Sequence, residues 1–431
     1  MSYFSMSRSS TGTCSRVAEW IRSGLATTAA QTLIQALGLT AGIVIIRDLT
    51  PAQYAFYTIA SAGLGTMTVL ADGGVGNSLF ALGGADWQNR NKLGAVIASG
   101  LYLRRRFAFV AVAIAVPVMI WLLHRQGADW TEAALIALSV VPLFLATVTG
   151  HLLEAVPRLH QQLAPLQLVQ VCSNAIRALL TAVILPFLPL AALSSLIAAL
   201  PQWWANWRLR QIAGRHAEWR IPPEPVLVRR IAAQVRRTIP AVAYYAISGQ
   251  LTIWLISLFG KNSDVAAIGA LSRLAMMLAI LTSVFNTLAV PRFARIQACD
   301  SGRLRRRYFQ SQLALASVCA VPLMFLAVFP QGALAILGPH YVGLNREVLL
   351  MGTSSVAAVL CGAAYTLGAA RGVVAPPWVS VPFTFLGQLV LVLVLPIDTI
   401  SGVIWIGVLS ALAQWVFHIG YFLFSQRAGT F

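Results

Sequence analysis

The chain has 431 residues, of which 58% are hydrophobic and only 10% charged. A soluble domain carries about 25% charged residues, so this composition excludes a large water-soluble core and points to a membrane protein of many spans. The net charge of +18 is carried almost wholly by arginine, with Lys92 and Lys261 the only lysines, and it falls in the short gaps between apolar runs. That is the pattern of cytoplasmic loops, not of a nucleic-acid surface.

In chain order, twelve runs are long and apolar enough to cross a bilayer. They lie at 24–46, 53–82, 107–123, 132–153, 165–186, 189–206, 239–259, 264–290, 310–329, 347–369, 376–396 and 399–424. The second and eighth are long, which predicts tilt or extension past the bilayer. Pro186 and Pro189 mark a tight hairpin between the fifth and sixth. The polar, Ser-rich start shows no apolar stretch with a small-residue cleavage site, so the first span serves as the targeting signal. With the N-terminus placed in the cytoplasm, 25 basic residues fall inside and 4 outside, and Arg177 and Arg273 lie within spans. This asymmetry predicts twelve spans with both ends cytoplasmic.

The predicted organisation is a cytoplasmic tail (1–23), an N-terminal lobe of six helices (24–206), a basic cytoplasmic linker (207–238), a C-terminal lobe of six helices (239–424) and a short cytoplasmic tail (425–431). The linker holds "RIPPEPVLVRR" and eight arginines, a composition suited to anionic headgroups. The fold class is thus an all-α polytopic membrane protein with about twelve transmembrane helices in two six-helix lobes around a central cavity. Equivalent stretches follow the first and seventh spans, "IIRDLTPAQYAFYTIA" and "LFGKNSDVAAIGALSR". They suggest two parallel repeats related by an axis along the membrane normal.

Several function classes are missing their residues. No GxxxxGK[ST] appears, so the chain carries no ATPase motif of its own. The five cysteines and six histidines show no ligand spacing, so no metal and no cofactor is expected. The outer loops are short, no paired carboxylates or Ser/His/Asp set stands out, and an enzyme is not expected.

The polar residues inside spans carry the functional signal. Gln167, Gln170, Asn174 and Arg177 recur at spacings of 3, 4 and 3, which places them within about 80° of arc on one helix face. Gln31 and Gln35 with Thr27, Gly38 and Gly42 form a similar stripe in the first span. Tyr245, Ser248 and Thr252, with Gln250 nearby, do so in the seventh. Two readings stay open for each stripe, cavity lining and helix-packing contacts. An arginine in hydrocarbon needs a carboxylate, water or an anionic ligand. Glu154 and Asp72 are the candidate protein partners for Arg177, and Glu154 is also a candidate for ion coupling. Arg273 either faces the cavity or extends to the outer interface.

The stretch "IIRDLTPAQYAFYTIASAGLGTMTVLADGGVGNSL" resembles the first two helices of polysaccharide-exporter flippases, through Arg47, Leu49, Pro51, Tyr54, Tyr57, Leu70, Asp72 and Gly74. "LISLFGKNSDVAAIGALSRLAMMLAILTSVFNTLAVPRFARI" and "ILGPHYVG" continue the likeness through the second half. Ala55 departs from the usual Gly, and Gln250 and Thr252 stand where the seventh helix often has an acid. The resemblance implies the multidrug/oligosaccharidyl-lipid/polysaccharide exporter superfamily. It further implies export of undecaprenyl-diphosphate-linked oligosaccharide units across the bacterial inner membrane for O-antigen, capsule or exopolysaccharide. Membrane lipids, a polysaccharide polymerase and a chain-length regulator would be its partners, with the flippase itself monomeric. The alternatives are a cation-coupled multidrug exporter or a peptidoglycan-precursor flippase of the same superfamily and, from another class, a membrane polysaccharide polymerase or ligase.

Overall fold

The computed structural model describes residues 11–76, 78–79, 82, 88–160, 162–218, 221–276, 278–294, 301–371 and 373–427. Among these residues the regular structure is entirely helical, and the protein is a multi-pass membrane protein. Helices suit a bilayer because each satisfies its own backbone hydrogen bonds where no water is present.

The first half comprises α1 (Thr11–Asp48), α2 (Pro51–Asp72), α3 (Arg90–Arg125), α4 (Trp130–Leu153), the short α5 (Ala155–Leu159), α6 (Leu163–Ile184) and α7 (Ala191–Ala213). The second comprises α8 (Pro225–Ser248), α9 (Leu251–Phe259), α10 (Asn262–Ala275), α11 (Leu278–Ala294), α12 (Ser301–Val328), α13 (Pro330–Leu337), α14 (Asn345–Ala369), α15 (Pro377–Val394) and α16 (Ile400–Arg427). Ten helical segments of the described chain meet the length and hydropathy needed for a span, and the bent pair α8–α9 makes an eleventh. The expected twelfth, α7, is long enough at 23 residues. Its second half, with Gln202, Asn206, Arg208 and Arg210, is too polar for that measure.

Several helices outrun the predicted spans, but the second falls short: α2 stops at Asp72 and not at 82, because a glycine turn follows it. α1 reaches back to Thr11, and α3 runs for 36 residues. The predicted linker 207–238 is mostly helix: α7 continues to Ala213 and α8 begins at Pro225. Pro225 suits a first helical position, which has no hydrogen-bond use for its missing N–H. The first half of α8 is amphipathic. Ile231 and Val235 are buried in a cluster with Leu93, Ile97 and Leu152, while Arg229, Arg230 and Arg236 face outward. The intervening segment clasps the start of α3, where Arg90 donates to the Gly214 carbonyl at 3.0 Å and the Glu218 amide to the Arg90 carbonyl at 3.2 Å. His216 lies against His160 there, the rings tilted by 34° with their centroids 4.1 Å apart. Burial, then neighbouring His160, Arg90 and Arg215, hold His216 below its ordinary pKa.

α2 ends at a turn that needs glycine. Gly73 (φ 51°) and Gly74 (φ 90°) both adopt positive φ, which is costly for other residues. Thr238 of α8 docks on this turn, its hydroxyl donating to the Gly73 carbonyl at 3.1 Å. Three consecutive arginines in α3 point in three directions at 100° per residue. Arg104 alone turns inward, 3% exposed, where it pairs with Asp72 and donates to the Val148 carbonyl at 2.8 Å.

The two halves are joined at the end of the bundle that carries Arg47. The largest buried cluster lies there and draws on both, from Ile45, Tyr54 and Ile136 to Val265, Leu334 and Val403. Polar clasps reinforce it. The Gln126 side chain donates to the carbonyls of Ser257 (2.7 Å) and Gly260 (3.2 Å), and the Asn262 amide donates to the Gln126 carbonyl at 2.8 Å. Arg47 donates to the carbonyls of Ile336 and Ala335 on α13. Lipid is as apolar as leucine, so helices in a bilayer associate through close packing of small residues. At the α2–α10 crossing, a Cβ on Gly269 would stand 2.2 Å from the Thr58 hydroxyl and 3.0 Å from its Cβ.

Gly269→Ala should therefore force α10 from α2 at a cost of about 1–3 kcal/mol. It should lower the melting temperature of the purified protein in detergent. In a Thr58→Ala background the same change should cost distinctly less, because the hydroxyl and methyl in its way are gone. Equal losses in both backgrounds would rule out this contact as the cause.

Candidate functional site

Beneath the joined end lies a cavity of about 360 Å³. α2, α4, α6 and α7 wall it on one side, and α9 and α10 on the other. Two arginines face into it, Arg177 from α6 and Arg273 from α10, and no Asp or Glu stands among the described lining residues.

Arg177 reaches this wall because α6 carries its polar stripe on the inward face, with Asn174 one turn before it. Its Nε–H is buried without a hydrogen-bond partner. Arg273 is held by uncharged groups instead of a carboxylate. Its guanidinium lies 5.6 Å from the Tyr57 ring centroid, donates to the Tyr57 hydroxyl at 3.4 Å and touches the Met276 sulfur at 3.6 Å. Its aliphatic stem passes Gly42 of α1, where a Cβ would stand 3.4 Å from Cδ. A bulkier residue there would push the guanidinium off Tyr57. Tyr57 itself lines the cavity, so one phenol sits in the same wall system as both cations.

The candidate partners of Arg177 are engaged elsewhere, which corrects that expectation. Asp72 pairs with Arg104. Glu154 accepts from Arg158 at 2.5 Å, one helical turn away, and from the Gln170 amide at 2.8 Å. Gln170 is thus drawn towards Glu154 and away from the cavity. Asn174 remains in the wall, with its amide donating back to the Gln170 carbonyl at 2.9 Å.

Gln250 also lines the cavity. The break between α8 and α9, a bend of 53°, falls at Gly249–Gln250 and turns that side chain inward. Gly65 of α2 leaves it room, since a Cβ there would stand 2.9 Å from the Gln250 amide nitrogen. Ser248 belongs to a different network. It accepts from Gln388 at 2.8 Å, and Gln388 accepts in turn from the Tyr244 hydroxyl at 2.8 Å. Gln167, Gln31 and Gln35 are half-buried and stand outside the cavity wall. Their helices pack directly against each other, α1 along α6.

The sequence reading overlooked most of the hydroxyl and amide groups that complete the wall. Ser194, Ser195 and Gln202 come from α7, Thr58 and Ser61 from α2, and Ser272 from α10. Ser194, Ala198 and Gln202 recur every four residues, a one-face pattern that was legible in the chain. It was masked because 189–206 read only as the return arm of a hairpin. Chemically, the cavity offers two permanent cations, one phenol, and side-chain hydroxyls and amides. A low-dielectric surround strengthens their hold on an anion.

No protein-family model matches the chain, and no curated protein matches it. Solved structures do. A lipid II flippase, MurJ, in an inward closed conformation superposes with a TM-score of 0.69 at 10% identity, covering 94% of this chain and 87% of its own. An inward-facing multidrug-resistance MATE transporter of the MOP superfamily gives 0.64 at 12% identity, covering 91% and 95%. A eukaryotic MATE transporter gives 0.63 at 14% identity, covering 93% and 96%. Each of these three is a transporter or flippase and none an enzyme. The chain shares the all-α fold of these MATE and MurJ structures.

Proposed function

We propose that the protein is a flippase for undecaprenyl-diphosphate-linked oligosaccharides, moving them from the cytoplasmic to the outer leaflet of the bacterial inner membrane. One observation carries the reading: two arginines face one cavity whose described walls hold no carboxylate. A diphosphate supplies the counter-charge that the protein withholds. Arg177 and Arg273 take its oxygens, while Asn174, Gln202, Gln250 and the α7 serines bond sugar hydroxyls. The Arg47 end then faces outward and the basic end the cytoplasm, in keeping with the 25 to 4 split of basic residues. The bundle, joined at the Arg47 end, is in an inward-facing arrangement on this reading.

A second reading shares the same lipid diphosphate. The likeness to a lipid II flippase favours a peptidoglycan precursor as the cargo. An exporter of cationic drugs fits less well, because a cationic cavity repels its substrate.

In cells lacking the native gene, Arg177→Ala should abolish delivery of lipid-linked repeat units to the outer leaflet. A charge-assisted contact contributes about 1.5–3 kcal/mol, so diphosphate affinity should fall roughly 10- to 150-fold. Arg177→Lys should restore part of it, because lysine keeps the charge and loses the two-pronged geometry. Normal delivery by the alanine variant would overturn the anion role of the cavity.

Gly42→Leu tests the placement of Arg273 while keeping both arginines in the sequence. It should reduce transport while leaving the amount of folded protein in the membrane near normal. Unchanged transport would mean that the seat of Arg273 on Tyr57 does not matter. A phosphatase reporter fused after Arg427 should stay inactive and a cytoplasmic fluorescent reporter should glow. The reverse pattern would invert the topology.

A further inference from the structure

On the function proposed above, the joined end faces outward and opens in each cycle. Each half is knit within itself there. The Gln53 side chain of α2 donates to Glu132 of α4 at 2.5 Å and accepts from the Ala191 amide of α7 at 2.9 Å. In the second half, Ser401 of α16 donates to Glu347 of α14 at 2.9 Å. Opening this end therefore parts one half from the other, and the clasp of Gln126 with the α9–α10 turn lies across that seam.

The clasp is an exchange of helix C-termini. The last carbonyls of a helix have no partner within it. Gln126 is the C-cap of α3, and its carbonyl is met by Asn262, the first residue of α10. Its side chain in turn meets the carbonyls of Ser257 and Gly260, where α9 ends. The turn so gripped joins the two helices that bring Gln250 and Arg273 to the cavity. Yet the clasp closes at a cost. Ser257 is 0% exposed, and among the described residues its hydroxyl has no hydrogen-bond partner. The side-chain oxygen of Asn262 is buried and equally unpartnered. A polar group taken from water without a partner disfavours the state that buries it. Parting the halves would let water reach both, since Lys261 and Ser263 on either side of Asn262 are already exposed.

We propose that Gln126, Ser257 and Asn262 form a balanced latch on this end of the carrier. The hydrogen bonds of Gln126 hold it closed, and the unpaired Ser257 hydroxyl and Asn262 oxygen keep it from locking. The assignment rests on the alternating opening proposed above and not on the identity of the cargo. It gives the two kinds of contact opposite signs. Removing the donor at 126 frees the end, whereas removing the hydroxyl at 257 takes away a penalty of closing and tightens it.

The test places a fluorophore pair, carried by non-natural amino acids, at Phe187 and Val342 of the full chain in lipid nanodiscs. Both positions are exposed and lie beside the joined end, one on each half. Single-molecule records give opening and closing rates, so a change in their ratio is read even where the open state is rare. Gln126→Ala should raise the ratio of open to closed roughly fivefold or more. Ser257→Ala should lower it roughly threefold or more and slow transport, although it deletes a single oxygen. That variant also guards against misfolding of Gln126→Ala, because it leaves no group unpaired. An unchanged ratio in Gln126→Ala would overturn the holding role. Opening as frequent in Ser257→Ala as in the intact protein, or more so, would overturn the release role. Undecaprenyl diphosphate is then added to each. Opposite shifts in the two variants with no response to the diphosphate would keep the latch and refute the cargo. Absence of opening in every form would refute the alternating movement, and the latch with it.

Discussion

An arginine inside a bilayer must be solvated by something, and most of this structure can be read as an answer to that constraint. The cost of a bare guanidinium at membrane depth is several kcal/mol or more. The cheapest remedy is a neighbouring carboxylate, and the chain has two within reach by sequence, Asp72 and Glu154. Neither is used for Arg177. Asp72 neutralises the buried Arg104 at the foot of α2, and Glu154 is held by Arg158 and Gln170 at the foot of α4. The acids are spent at the basic end of the bundle, and the positive charge at its centre stays uncompensated.

That uncompensated charge shapes the helices around it. Arg273 is kept in place by a ring face and a glycine, contacts that orient a cation without neutralising it. Gln250 reaches the same space only because α8 and α9 break at Gly249, and the break is tolerable because it borders a polar cavity instead of lipid. The joined end above the cavity is apolar and close-packed, with Gly269 against Thr58 and the Gln126 clasp closing the polar backbone ends. Below it, the first half of α8 lies along α2 and α3, so the helix that opens the second half of the chain is anchored on the first.

How far this was legible in the sequence depended on which forces set each feature. Span positions follow from hydropathy, and the inward face of α6 follows from the 3, 4, 3 spacing of its polar residues. Both are local properties. The stripe on α6 nevertheless divides: Asn174 and Arg177 enter the cavity, while Gln170 is captured by Glu154 from another helix, which no spacing reveals. Ser248 read as part of one face with Tyr245 and Thr252, but the contact that holds it is to Gln388 of another helix, while Gln250 at the helix break enters the cavity wall. The basic linker read as loop because its prolines and arginines suggest one. Its Ile231 and Val235 make an amphipathic helix once α3 extends far enough to receive them. Ser194 and Gln202 carried a periodic signal, but only the packing of α7 against α4 and α6 tells which face of that helix is the inner one.

The charge arrangement also bears on how such a carrier would couple loading to movement. Closing an empty cavity around two guanidinium groups would strip their water with no counter-charge, and in a low-dielectric surround the two would repel each other strongly. A bound diphosphate removes both penalties at once. On the proposed reading the empty protein is held open by its own arginines, and the loaded one is free to close. A carboxylate beside Arg177 would abolish that difference, because the site would then be neutral whether empty or full. The engagement of Asp72 and Glu154 away from the cavity is therefore more than a local detail of packing. On the proposed reading it leaves the neutralising charge to the cargo, and the cargo then decides when the site can be enclosed.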